Sequence, residues 1–331
     1  MILAGDIGGT NARLALFDVQ NNEFKLQQLL IYPSRHYSGL DQIVAEFVSK
    51  TSSHPTQACF GIAGPVNNGR VEASNLPWII EAKRLATELS LDHTVLINDL
   101  EATGWGIGAL SSADVVPLNN VISISGDAVK GNQAVIAAGT GLGEGGLYWD
   151  GTRHHVFASE GGHCDFAPEN DLQIDLYKYL RGRYGHVSYE RVLSGPGLIN
   201  IFEFLRDTGK GTPPDWLVAE MVERDAAATI SNAALKGQCP MCEQALNIFV
   251  TIFGAEAGNM ALKIKATGGV FLAGGIAPKI LPKLATPMFL EAFLSKGRLR
   301  HLMEIMPIQV ITNDKLGLLG AARCAFLEAA A

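Results

Sequence analysis

One unit constrains this chain more than any other, a strand, a glycine turn and a second strand, and it occurs twice. Ile2-Leu3-Ala4-Gly5-Asp6-Ile7 and Asn11-Ala12-Arg13-Leu14-Ala15-Leu16 flank Gly8-Gly9-Thr10, the pattern of a β-hairpin. Ala134-Val135-Ile136-Ala137-Ala138, Gly139-Thr140-Gly141 and Leu142 to Trp149 repeat it. Asp6 ends a run apolar enough to be a buried strand, and a carboxylate at the mouth of such a strand requires a partner. The small residues Gly8, Gly9 and Thr10 leave backbone N–H groups uncovered. A phosphate can approach those groups directly, with Asp6 set back to hold a metal-bound water. A plain glycine turn beside a capped aspartate produces the same pattern. The repeat is what favours two phosphate hairpins.

Other nucleotide motifs fit less well. Gly141, Gly143 and Gly146 satisfy GxGxxG, but Leu147-Tyr148-Trp149-Asp150-Gly151 follows as strand and turn, where a dinucleotide fingerprint needs a helix. No GxxxxGK[ST] is present. A third glycine site, Gly274-Gly275 within Thr267–Pro278, follows a strand at a point where a helix could begin. Small residues there let a flat base lie close to the backbone.

At 331 residues, 47% hydrophobic and 18% charged, the chain has the composition of a well-packed globular protein with room for two domains. Its apolar runs break before membrane-spanning length and its start carries no basic region, so a cytoplasmic protein without membrane association is expected. Five cysteines suit reduced thiols. The pair in Cys239-Pro240-Met241-Cys242 lacks a second CxxC or an HxxxH to complete a zinc site. A net charge of -7 without a Lys/Arg cluster argues against a nucleic-acid partner.

Along the chain, Leu40, Ile43, Val44, Phe47 and Val48 predict a helix with Ser38 as its N-cap. Ala58–Ala63 reads as a strand and Ile80–Leu89 as a helix. Thr94–Ile97 reads as a strand ending in Asn98-Asp99, before a helix from Glu101. Strand ends followed by helices are where α/β folds place their chemistry. Ser111–Gln133, with turn residues and Pro117, is the expected domain boundary. A long helix is expected from about Glu243 to Ala266, with Gly254 and Gly258 permitting close packing, and a small-residue helix over Gly317–Leu327 whose partner domain stays open.

A polar set stands apart from these elements. Asn98, Asp99, Glu160, His163 and Glu190 supply carboxylates, an amide and an imidazole, the groups that saturate the hydroxyls of a neutral polyol. A metal site is the competing use. His163 has no second ligand at helical spacing, however, and a catalytic Mg²⁺ leans on substrate phosphates.

Taken in order, Asp6–Arg13, Ile97-Asn98-Asp99, Gly139–Gly143, Glu160–Pro168 and Glu190–Gly197 resemble the bacterial glucokinase family, and the likeness continues through Ala273–Ile276 to Gly317–Gly320. The resemblance implies an α/β actin-like, hexokinase-like ATPase fold of the ribonuclease H-like type, with the active site in the interdomain cleft. Residues 1–110 with a C-terminal helix at about 313–331 would form the smaller domain, and 111–312 the larger. It further implies a cytoplasmic homodimer that uses ATP and Mg²⁺ to make glucose 6-phosphate. Asp99 is then the base for the sugar 6-hydroxyl, while Asn98, Asp99, Glu160, His163 and Glu190 hold glucose. Asp6, Gly8, Gly9, Thr10, Asn11, Gly139, Thr140, Gly141, Gly274 and Gly275 take the nucleotide, and Asp6 holds Mg²⁺ through water. The related repressor and kinase group carries a cysteine-rich zinc motif after the Glu-Gly-His segment, where this chain has only Cys164, so zinc is not expected. A kinase for another hexose, a polyphosphate-dependent enzyme and a non-catalytic sugar sensor are the alternatives.

Overall fold

The structure is a computed structural model that describes residues 1–21, 23–73, 75–121 and 130–329. The chain divides into two compact units. One comprises Met1–Asp114, Val156–Ala158 and Asn313–Ala331, the other Val115–His155 and Ser159–Thr312. Of the stretch in which a boundary was expected, positions 122–129 lie outside the described residues.

The first unit opens as an antiparallel meander of β1 (Ile2–Ile7), β2 (Asn11–Gln20) and β3 (Glu23–Pro33). Helix α1 (Leu40–Thr51) and strand β4 (Gln57–Ile62) follow, then the short strands β5 (Val66–Asn67), β6 (Arg70–Glu72) and β7 (Ile79–Glu81). Helix α2 (Ala82–Leu89), strand β8 (His93–Asn98) and helix α3 (Asp99–Ile107) complete this stretch. The main sheet has the order β3-β2-β1-β4-β8, with β1, β4 and β8 parallel. Strand periodicity splits its side chains between two cores. Leu3 and Ile7 pack with Ile43 and Phe47 of α1, whereas Ile2 and Ala4 join a cluster on the opposite face.

Three expected boundaries move. Helix α1 takes Gly39 rather than Ser38 as its N-cap and has no side-chain cap; the Ser38 backbone N–H donates to Gln42 Oε1 at 3.2 Å, one turn into the helix. Ile79–Glu81 is a strand, since Ile80 pairs with Val71, and the helix begins only at Ala82. Helix α3 begins at Asp99 rather than Glu101. Asn98 Oδ1 accepts the Leu100 N–H at 2.8 Å and Glu101 Oε2 accepts the Asn98 N–H at 2.8 Å, a reciprocal capping box.

The second unit contains β9 (Val115–Pro117), β10 (Gln133–Ala138), β11 (Leu142–Trp149) and β12 (His154–Ser159). Helices α4 (Asp171–Tyr184), α5 (Gly195–Asp207), α6 (Asp215–Glu223), α7 (Ala226–Leu235) and α8 (Pro240–Ile264) follow. Strand β13 (Gly269–Ala273), the short helix α9 (Leu281–Leu284), α10 (Pro287–Leu294), α11 (Arg300–Met303) and β14 (Ile308–Ile311) end it. The sheet order is β12-β11-β10-β13-β14-β9, with β10, β13 and β14 parallel. No helix starts at Gly274-Gly275. Gly274 adopts φ +81°, a conformation that favours glycine, and the chain passes through turns before α9.

Among the described residues, α8 is the one helix long and apolar enough to cross a membrane, and it is a core element here. Phe253 meets Phe289 of α10 edge-on, and a Cβ on Gly258 would come within 2.7 Å of the Phe293 carbonyl, so the two helices approach closely. The CxxC pair caps this helix. Cys239 Sγ accepts the Cys242 N–H at 3.4 Å, both residues are buried, and burial pushes the Cys242 thiol up from its ordinary range.

The last helix, α12 (Leu316–Glu328), packs on α3, β1 and β4, placing it in the first unit. Its Leu318, Ala321 and Ala325 are fully buried.

Candidate active site

In the first unit the parallel register sets the site. Ile7 lies level with Ile62, and Ile62 with Asn98, so the Gly8–Thr10 turn and Asn98-Asp99 leave the same sheet edge. They sit two strand spacings apart, about 10 Å. The turn is closed by Gly8 N–H to Asn11 O at 3.0 Å. Ser34, fully buried, donates its Oγ hydrogen to Gly8 O at 2.8 Å, while its N–H reaches Thr10 O at 3.0 Å. Nothing in the local sequence marks Ser34 as the turn's anchor, because its partners lie in a turn far back along the chain.

Asp6 projects beside this turn with its side chain 36% exposed and one oxygen 3.8 Å from Arg13 Nη1. Burial raises its pKa and the Arg13 charge opposes the rise. Arg13 also donates to the Asp314 carbonyl at 2.8 Å, which ties the hairpin to the residues just before α12. A single oxygen-donor carboxylate next to uncovered N–H groups fits Mg²⁺, which keeps several waters and takes other ligands from phosphates. Among the described residues no group of three His, Cys, Asp or Glu side chains forms a protein-only metal cage.

Asp99 is exposed at the first turn of α3, and its Oδ1 accepts the Leu100 N–H at 2.9 Å. The helix N-terminus favours negative charge at that position. Gly61 is what lets α3 sit so low on the sheet, since a Cβ there would stand 2.8 Å from Ala102 Cβ. The Asn98 amide Nδ2 donates to Gly64 O at 3.1 Å, anchoring the preceding residue.

In the second unit the backbone of Leu142 is the meeting point. Its N–H donates to Glu190 Oε2 at 3.0 Å, and its carbonyl lies against Gly162, where no side chain fits. The Gly139–Gly141 turn, the Gly161–His163 turn and Glu190 are thereby gathered together. A Cβ on Gly141 would stand 2.6 Å from Glu190 Oε2, so this turn lies directly against the Glu190 carboxylate. Glu160 and His163 are exposed on one short turn, His163 Nε2 4.0 Å from Glu160 Oε2. That turn is held to the Glu190 segment by Tyr189 N–H to Cys164 O at 3.0 Å and Phe166 N–H to Val187 O at 2.9 Å. Gly274 lies on the Ala138 carbonyl at the end of β10, and Ile276 N–H donates to that carbonyl at 3.1 Å. Gly274-Gly275 therefore joins the Gly139–Gly141 turn at one sheet edge.

Within each unit the expected residues are thus brought together: Asp6, Gly8–Asn11, Asn98 and Asp99 in one, Gly139–Gly141, Glu160, His163, Glu190 and Gly274-Gly275 in the other. The sequence reading missed Glu144. This carboxylate is completely buried on β11, and neither oxygen has a hydrogen-bond partner among the described residues. A Glu inside an otherwise apolar and glycine-rich run was the available signal.

Comparison with known proteins points to one family. A family model described as Glucokinase matches residues 3–328. A glucokinase of Nostoc is 42% identical over 344 residues, covering 98% of each chain. The crystal structure of a glucokinase from an Antarctic psychrotroph superposes with a TM-score of 0.86 at 33% identity, covering 98% of each chain. A ROK family glucokinase from Streptomyces griseus, solved in complex with glucose and AMPPNP, shares the fold at a TM-score of 0.66 and 20% identity, over 98% of this chain and 99% of that one.

Proposed function

The chain belongs to the glucokinase family, and from that premise we propose how its residues carry out ATP-dependent phosphorylation of glucose. The enzyme transfers the γ-phosphoryl group of ATP to the 6-hydroxyl of glucose, on the two-domain actin-like fold of hexokinase-like kinases. The observation that supports the assignment best is the shared edge of β1 and β8, with Asp99 at the start of α3 and the glycine turn two strands away.

Asp99 accepts the proton of the 6-hydroxyl as its oxygen bonds to the γ-phosphorus and the bond to the β–γ bridging oxygen breaks, leaving ADP. Phosphoryl transfer through a loose transition state requires that proton only late, so orientation of the hydroxyl outweighs the modest basicity of a carboxylate. The N-cap role of Asn98 and the capping box with Glu101 hold Asp99 at a set point in space. Glu160, His163, Glu190 and Asn98 take the remaining hydroxyls. A buried hydrogen-bonding site rejects an analogue lacking one hydroxyl because its own polar groups are left unpaired.

The glycine turns of Gly8–Asn11, Gly139–Gly141 and Gly274-Gly275 receive the nucleotide, in keeping with the AMPPNP complex of the Streptomyces griseus relative. Asp6 would hold Mg²⁺ through water, and the ion when bound neutralises phosphate charge. Five free cysteines and a phosphorylated sugar product support a cytoplasmic enzyme. The family likeness supports a homodimer, which sedimentation analysis would test.

Asp99→Asn keeps the cap geometry but removes the proton acceptor. Glucose binding should be retained while kcat falls by about 10² or more, the range for a lost general base. A coupled ADP-release assay with glucose, mannose, fructose and N-acetylglucosamine, each with ATP or polyphosphate, reads this together with the substrate range. Near-normal turnover by the variant would remove Asp99 from the role.

A further inference from the structure

The turn carrying Glu160 and His163 rests on a buried carboxylate. Gly161 lies directly against Glu144 Oε2, where a Cβ would overlap it. Ser159 Oγ donates to the Glu144 carbonyl at 2.8 Å and accepts the Gly161 N–H at 3.1 Å, so the same two residues join the turn to β11. Beneath lies a second fully buried carboxylate, Glu256 on α8, bonded to Asn259 Nδ2 at 2.9 Å and Lys263 Nζ at 3.3 Å. The Asn259 amide also reaches Tyr189 OH at 3.0 Å and accepts from Lys296 at 2.8 Å, and Lys296 faces Glu169 at 3.5 Å. Glu256 therefore has hydrogen-bond donors around it, whereas the Glu144 carboxyl oxygens have none among the described residues.

Two carboxylates share this interior; Lys263 pairs with Glu256, and Lys296 is committed to Asn259 and Glu169. A buried carboxylate without a donor is far cheaper to keep as the neutral acid than as the anion. We propose that Glu144 is a positioning residue for the sugar turn: its protonated carboxyl lets Gly161 lie on β11 and hold Glu160 and His163 in sugar-binding geometry, and loss of that proton weakens glucose binding. The inference rests on the assignment of Glu160 and His163 to the sugar.

Among the described residues, the charged groups acting on Glu144 are Glu256 and Lys263 from α8, with Tyr189 and Lys296 joined to Glu256 through Asn259. Burial, then the Glu256 charge, push the Glu144 pKa up to about 7, with Lys263 opposing. The folded protein therefore holds this proton between the ordinary carboxylate value and about 7, where the unfolded chain has released it. The associated stability is complete below that window and is lost as pH rises through it. Once ionised, the carboxylate is a buried charge lying against Gly161, and accommodating it disturbs the turn.

The test is calorimetric glucose binding to the full chain between pH 6 and 8.5. Glu144→Gln mimics the protonated acid at every pH. The ratio of wild-type to Glu144→Gln Kd should rise from about one at pH 6 to about ten at pH 8.5, the effect of a one-unit pKa difference between free and bound protein. Glu256→Gln leaves Glu144 in place but removes the charge that raises its pKa, so its midpoint should move to lower pH. That arm stands even where Glu144→Gln does not fold. A constant ratio, or an unmoved midpoint in Glu256→Gln, would overturn the proposal. Glu160→Gln is measured alongside, and unchanged glucose affinity there would instead remove the sugar-turn assignment itself.

Discussion

Gly162 shows how one missing side chain sets a functional turn. Its Cα faces the Leu142 carbonyl, a backbone group in a strand that cannot rotate away. Gly162→Ala should therefore push the Glu160–His163 turn off β11 and raise the glucose KM by about ten- to a hundredfold, equivalent to roughly 1.4–3 kcal/mol, with little change in kcat. Steady-state kinetics check it, and an equal loss in kcat would point to a disturbed reacting centre instead. At this scale the sequence was informative where chemistry is local. Asp6, Asp99, Glu160 and His163 stood out because polar groups interrupt glycine or apolar runs. What it concealed is long-range: Glu190 bonds to the Leu142 N–H 48 positions away, and Ser34 anchors a turn 26 positions earlier. Neither partnership leaves a trace in periodicity.

Among the elements, α3 and α12 cross through glycine. Gly320 leaves no room for a Cβ against Ala102 O, and a Cβ at Gly106 would stand 2.6 Å from Leu316 O. The backbones therefore touch, and α12 covers β1 and β4 with small residues. Gly320→Val should destabilise the first unit by about 1–3 kcal/mol or more through overpacking, seen as an earlier thermal transition. Gly182→Ala in α4, where a Cβ meets nothing within 4 Å, should leave the transition in place or raise it slightly, since a helical glycine costs about 0.5–1 kcal/mol relative to alanine. A similar loss in both variants would assign the effect to something other than the crossing. The small-residue run over Gly317–Leu327 announced a tight helix but not its partner, because Gly and Ala pack on any surface. Boundaries failed for related reasons. Ile79–Glu81 became a strand only because Val71 and Ile80 could pair, and the cap position of α1 fell to Gly39 rather than Ser38, details that propensity does not resolve.

For the molecule as a whole, the repeat of a strand–glycine–strand unit was enough to expect two phosphate-binding halves, and the order of motifs from Asp6 to Gly320 was enough to identify the family. Position along the chain carries that information even where burial and partners are hidden. Proposed roles can be separated at the same scale through linkage, because a ligand that binds only the native protein stabilises it by an amount set by its affinity. Glucose at a hundredfold its Kd contributes about 2.7 kcal/mol, enough to raise the thermal transition visibly. Asp99→Asn should show a glucose-induced shift close to that of the wild type while turning over poorly, because it loses a proton acceptor and keeps a hydrogen-bonding side chain. Glu160→Gln should show a smaller shift at the same glucose concentration, because the amide replaces one acceptor oxygen with a donor and the lost contact lowers affinity. Scanning calorimetry with and without glucose reads both. If the two shifts changed places, Glu160 would be the residue acting on the reaction and Asp99 the one holding the sugar.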